Sequence, residues 1–116
     1  MKSHIRAFVH AFQGGWTLLV SQPHAKIHLL ATIVVIGLGF YCNVSSVEWL
    51  FLIMAMGIVW LAEAMNTAIE FLADEVTLEW RKRIKHAKDI GAFGVLIAAL
   101  TAVAIGAMVF LPHLLG

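Results

Sequence analysis

The chain has 116 residues, enough for one domain at most, and 61% of them are hydrophobic, with a mean hydropathy of +0.90. That apolar share exceeds the roughly 45–50% of soluble domains and points to a membrane protein. The net charge is +1, and a single cysteine, Cys42, excludes an intrachain disulfide and any cysteine-based metal cluster.

The first twenty-odd residues lack the apolar core of a cleavable signal peptide, being punctuated by Lys2, His4, Arg6, His10 and Gln13. Against these, Ile5, Phe8, Val9, Phe12, Trp16 and Leu19 recur at helical spacing. The pattern predicts an amphipathic surface helix over 1–22, lying in the membrane interface. Gly14-Gly15 is a place for it to break or bend, and Pro23 separates it from the first span.

Three apolar runs predict transmembrane helices over 25–42, 47–73 and 89–111. The first connection, Cys42-Asn43-Val44-Ser45-Ser46, carries no Lys or Arg. The second carries Arg81, Lys82, Arg83, Lys85 and Lys88, and this basic stretch can extend the third helix beyond the bilayer. Lys2, Arg6 and Lys26 are the remaining cations. A basic cluster beside a span is a topology signal rather than a nucleic-acid surface. It places the N-terminus and the second connection in the cytoplasm, with the first connection and the C-terminus outside. The predicted fold is therefore an all-α membrane protein, with a surface helix followed by three spans.

The second span is interrupted by Glu63, Asn66 and Glu70, with Asp74 just beyond. At 100° per residue these four fall within an arc of about 80°, and Glu63 and Glu70 lie about 10 Å apart along the axis. An ionisable residue at membrane depth is costly and marks function. Glu70 and Asp74 suit a metal–nucleotide complex, because Mg²⁺ takes one or two carboxylates plus substrate phosphates. The deeper Glu63 suits a general base for a lipid hydroxyl. Lys88 and Asp89 are read as opening the third helix, whose positive dipole end favours anions. Interhelical hydrogen bonding and a proton or cation pathway are the competing readings of the same face. As whole-chain functions these correspond to a non-catalytic assembly subunit and a small proton-coupled exporter using Glu63.

Other features are weaker. His24 and His28 are four residues apart and lie at a membrane edge, where packing is the simpler role; His86 and His113 read as interface residues. Gly91, Gly94, Ala98 and Ala102 sit near helical spacing and favour a close helix contact. The chain contains no GxxxxGK[ST] or GxGxxG phosphate loop.

The run Glu63-Ala64-Met65-Asn66-Thr67-Ala68-Ile69-Glu70, then Asp74, then Ala87-Lys88-Asp89, resembles the small integral-membrane prokaryotic diacylglycerol kinases, a family that includes the undecaprenol kinases. The resemblance covers nearly the whole chain. Ala11-Phe12-Gln13-Gly14 and Lys26-Ile27-His28 look like the N-terminal pattern of the undecaprenol-kinase branch. The resemblance implies a homotrimer in the bacterial inner membrane, with composite active sites shared between subunits. It implies phosphoryl transfer from ATP, with Mg²⁺, to a lipid alcohol that is either undecaprenol or diacylglycerol. Carried over, Glu63 is the catalytic base, Glu70 binds the metal and nucleotide, and Asn66 and Asp74 support the site. Lys88 and Asp89 contact ATP, with Glu79, Trp80 and Arg81 beside it, and Trp49 and Ala92 join Glu63 on the lipid side. Three positions depart from the family pattern. Gln22 stands where a second metal-binding glutamate is usual, His10 stands where tyrosine is frequent, and Trp80-Arg81 replaces Tyr-His.

Overall fold

The computed structural model describes residues 2–116, which form four helices: α1 (Lys2–Ser21), α2 (Pro23–Tyr41), α3 (Ser46–Val76) and α4 (Lys82–Leu115). Three of them, α2, α3 and α4, are long and apolar enough to cross a membrane.

α1 runs unbroken through Gly14-Gly15, the place where a break or bend was open to it. Each glycine costs about 1 kcal/mol against alanine, too little to interrupt a helix supported on both sides. α1 buries Leu18 alone and touches both α2 and α3. The corner after it arises from Pro23, which has no N–H to continue α1 and forces the preceding Gln22 into extended backbone (φ −115°, ψ 116°). Pro23 then starts α2 at its first turn, where the missing donor costs nothing. Ala25, completely buried, fills the inside of the corner.

α2 ends at Cys42, and Asn43 turns the chain with φ 53°, a conformation asparagine tolerates. α3 begins with a capping box. Ser45 Oγ accepts from the Glu48 amide at 3.2 Å while Glu48 Oε1 accepts from the Ser45 amide at 3.0 Å. Glu48 also meets His113 at 2.9 Å, tying the start of α3 to the end of α4. The cluster of Val44, Leu52, Val109 and Phe110 closes this end of the bundle.

α3 and α4 form the most extensive helix pair. Of the small residues on α4, Ala98 is buried, and Gly91 lies so close to α3 that a methyl group there would strike the Asn66 carboxamide. Gly94 faces open space and has no such role. α4 starts at Lys82, seven residues before the predicted span. Hydropathy reports the segment soluble in lipid, whereas the helix continues through the basic turns on backbone hydrogen bonds, with the Lys85–Asp89 pair spanning one turn. Lys88 and Asp89 therefore lie inside α4 and not at its amino end, which removes the dipole contribution expected at Lys88.

The α2–α3 approach near the turn is equally tight. A methyl group on Gly39 would fall on three ring carbons of Trp49, which itself packs at a tilt of 55° against Phe40 with ring centres 5.0 Å apart. Gly39→Ala gains about 1 kcal/mol of helix propensity and loses about 1–3 kcal/mol to overpacking. With three indole atoms in the way, the loss prevails. Thermal unfolding in detergent should show a lower midpoint; an unchanged or higher one would mean that the indole swings aside freely.

Candidate active site

The polar residues of α3 form a graded series. Glu63 is 4% exposed and Thr67 5%. Asn66 and Glu70 are half-buried, and Asp74 is exposed. The series thus runs from a buried carboxylate to a solvated one over 11 residues, or about 16 Å. Glu63 lies about 26 Å along the axis from the start of α3.

A buried carboxylate needs a partner. For Glu63 the structure supplies His28 of α2, whose Nε2 lies 3.2 Å from Oε2. His28 also sits edge-on to Trp60, one turn before Glu63, with ring centres 6.3 Å apart. Sequence reasoning set His28 beside His24 as an interfacial pair and missed this contact. The available signal was that His28 and Thr32 are the sole strongly polar side chains between Lys26 and Tyr41, so each needed a partner across the bundle.

Two buried polar atoms in the series have no protein partner, Asn66 Oδ1 and Thr67 Oγ1. Unsatisfied buried groups are costly and identify where a ligand or another chain would enter. Thr67 lines a cavity of about 500 Å³ between α1 and α3, walled also by Gly14, Gly15, Ala64, Ala68 and Phe71. His10 lies one turn earlier on α1, exposed, with Nδ1 3.2 Å from Gln13 Oε1.

The second cluster lies where α3 gives way to α4. Glu79, Trp80, Arg81, Lys85, Lys88 and Asp89 line a depression of about 290 Å³. Three cations, Arg81, Lys85 and Lys88, line it, each paired with a carboxylate that a phosphate can displace. Lys88 Nζ reaches back to Asp74 Oδ1 at 2.7 Å, joining the depression to the foot of the α3 series. Lys85 meets Asp89 at 2.6 Å, and Arg81 lies 3.6 Å from Glu79. Five of the residues expected at a nucleotide therefore share one surface.

The remaining expected residues are more scattered. Gln22 is half-buried at the α1–α2 corner. Ala92 is exposed on α4 beside Gly91. Trp49 lies 14 residues before Glu63 on α3, about 21 Å away, so a single chain does not bring the two together.

Among the described residues, no three His, Cys, Asp or Glu side chains converge to hold a metal. The donors present are the Glu70 carboxylate and the orphaned Asn66 carbonyl oxygen one turn before it. An incomplete set of oxygen ligands fits Mg²⁺ carried in by phosphates better than a resident ion in an all-protein cage.

The chain matches the family model described as prokaryotic diacylglycerol kinase over residues 9–110. It is 33% identical over 109 residues to the undecaprenol kinase of Bacillus subtilis, an alignment covering 94% of this chain and 89% of that one. It is 30% identical over 110 residues to a diacylglycerol kinase of Synechocystis, covering 94% of this chain and 63% of the relative. With the diacylglycerol kinase of Escherichia coli it shares 25% over 99 residues, covering 85% and 81%.

Proposed function

From a chain that belongs to the prokaryotic diacylglycerol kinase family, and is therefore a lipid kinase with an alcohol acceptor, we propose an enzyme that uses ATP and Mg²⁺ to phosphorylate a polyprenol of the undecaprenol type. Membership of a kinase family displaces the exporter and assembly-subunit readings. The polyprenol is favoured over diacylglycerol because the 33% identity to an undecaprenol kinase spans 89% of that relative.

The observation that carries the mechanism is a buried carboxylate, Glu63, within a helix long and apolar enough to cross a membrane. A lipid alcohol anchored by its chain brings its hydroxyl to such a residue where the helix nears the edge of the hydrocarbon layer. Glu63 takes the hydroxyl proton as the oxygen attacks the γ-phosphorus. Phosphoryl transfer otherwise needs positioning and charge neutralisation. Lys88, Arg81 and Lys85 supply cations for the phosphates, and Trp80 and Glu79 border the same depression. Glu70, Asn66 and Gln22 provide oxygens for the nucleotide's metal. When bound, Mg²⁺ neutralises the charge on the phosphates. His10, exposed on α1 one turn before Gly14, is the α1 residue assigned to the nucleotide.

Positive-inside asymmetry supports a cytoplasmic N-terminus and a cytoplasmic depression in the bacterial inner membrane, with α1 lying along the surface. A homotrimer is supported by two features. Large apolar side chains stay exposed along all three spans. Within one chain, moreover, Lys88 is tied to Asp74, about 16 Å along α3 from Glu63. A base from one copy and a depression from another can meet where those of a single chain do not.

The test is transfer of label from radiolabelled ATP with Mg²⁺, using purified protein and undecaprenol and diacylglycerol in parallel. Label in undecaprenol supports the proposal, and label in diacylglycerol alone reassigns the acceptor. A further expected result concerns Gln22, which coordinates without bringing charge. Gln22→Glu should lower the Mg²⁺ concentration for half-maximal activity by a few-fold; an unchanged or raised requirement would remove Gln22 from the metal.

A further inference from the structure

Glu63 has one charged-group contact among the described residues, and it comes from a different helix. The ring that makes this contact packs against Trp60, and the His28 backbone is tied to α3 through Thr32. The indole of Trp60 lies at 66° to the His28 imidazole, and Trp60 Nε1 donates to Thr32 Oγ1 at 2.9 Å. Thr32 Oγ1 in turn donates to the His28 carbonyl oxygen at 2.7 Å. Thr32 and Trp60 thus link α2 to α3 one turn from the His28–Glu63 contact. On its other side His28 borders a cleft of about 250 Å³ whose walls include Val35, Leu52, Ala55 and Val103. The cleft walls are mostly apolar, and the Glu63 carboxylate is the charged group within reach of the imidazole among the described residues.

A carboxylate needs such a partner for geometric reasons. The last torsion of glutamate is broad and two-fold, so rotamer preference alone does not aim either oxygen. Reacting groups must be held close to a productive geometry, and misplacement by about 1 Å costs on the order of 10²-fold in rate.

We propose that His28 is the positioning residue for Glu63: Nε2 holds Oε2, and Oε1 is left to face the lipid hydroxyl. The proposal rests on the lipid-kinase reading with Glu63 as base. In the step, the hydroxyl oxygen forms its bond to the γ-phosphorus and the bond from that phosphorus to the β–γ bridging oxygen breaks. ADP leaves with the bond's electron pair, and the hydroxyl proton passes to Oε1. His28 keeps its own proton throughout. The Nε2–Oε2 separation of 3.2 Å puts the two side chains within reach of a hydrogen bond that closes once substrates are bound, since catalytic hydrogen bonds are often long or poorly aligned before that.

The experiment compares His28→Gln, His28→Asn and His28→Leu in the full chain, with undecaprenol and ATP as substrates. Glutamine places an N–H near the position of Nε2, asparagine places one near Nδ1, and leucine places none. Leucine and asparagine should each lower kcat by about 10–100-fold, with the KM for ATP within about twofold of wild type, and glutamine should recover most of the loss. A structural role alone would not separate glutamine from asparagine, since both are polar amides of similar bulk. If the leucine variant does not fold, the glutamine–asparagine contrast decides. Equal losses in those two, or a leucine variant with wild-type kcat, would overturn the positioning role. Glu63→Gln in the same assay separates the two levels of inference. If it stays active, the base assignment falls and the positioning role with it; if it is inactive while His28→Leu is unaffected, only the positioning role falls.

Discussion

Glu63→Gln is expected to reduce phosphoryl transfer by about 10²–10⁴-fold, the range a general base contributes, while leaving the protein folded. The substitution keeps the shape of the side chain and removes its charge and its basic oxygen. Stability should change little. Breaking a buried ion pair costs about 3–5 kcal/mol when it strands a charge, but glutamine keeps the volume of the side chain and leaves an amide oxygen facing the His28 ring, whose Nε2 lies 3.2 Å from the present carboxylate. The structure therefore predicts a dissociation of the two readouts: lost label transfer with a thermal unfolding midpoint close to that of wild type. Activity within a few-fold of wild type would refute the assignment of Glu63 as base. A large fall in the unfolding midpoint would instead show that the carboxylate is needed for folding, and the activity loss would then carry no catalytic meaning.

The residues of this site differ in how far the sequence could place them. The α3 series comes from helical periodicity, because Glu63, Asn66, Glu70 and Asp74 are brought onto one face by local geometry alone. Apolar runs long enough to span a bilayer likewise identify α2, α3 and α4. The limits appear wherever a partner is distant in sequence. His28 and Glu63 are 35 residues apart and Glu48 and His113 are 65 apart; nothing in either local pattern says which helix faces which. Helix ends are also poorly read from hydropathy. α4 extends into the basic segment because charged side chains at water-exposed turns do not oppose a helix, only its insertion into lipid. α1 continues through two glycines for the converse reason, a small local penalty against the gain from adjoining turns. The family resemblance adds roles for individual residues, but roles do not specify contacts. Gln22, His10, Trp49 and Ala92 are assigned by correspondence, and Trp49 lies about 21 Å along α3 from Glu63.

Lys88→Met should raise the KM for ATP by about 10–100-fold while barely affecting stability. Lys88 is tied to Asp74 at 2.7 Å, and both side chains are substantially exposed, at 39% and 50%. An ion pair in that setting contributes about 0–1 kcal/mol, since water and salt screen it, so losing it does not unfold the α3–α4 hairpin. Methionine retains the apolar stem and its packing on α4, which confines the change to the charge. A phosphate oxygen meeting the ammonium group would gain about 1.5–3 kcal/mol from the charged hydrogen bond, and tenfold in affinity corresponds to about 1.4 kcal/mol. The expected loss therefore falls on nucleotide binding rather than on the pair with Asp74. Titration of initial rate against ATP at saturating lipid checks this, with Asp74→Asn as the companion variant. Freed from its carboxylate, Lys88 should remain available to phosphate, so Asp74→Asn should raise the KM for ATP far less than Lys88→Met. Equal increases in the two variants would mean that the intact Lys88–Asp74 bridge, and not the cation itself, shapes the nucleotide site. An unchanged KM in Lys88→Met would remove Lys88 from the phosphates and leave Arg81 and Lys85 as the cations of the depression.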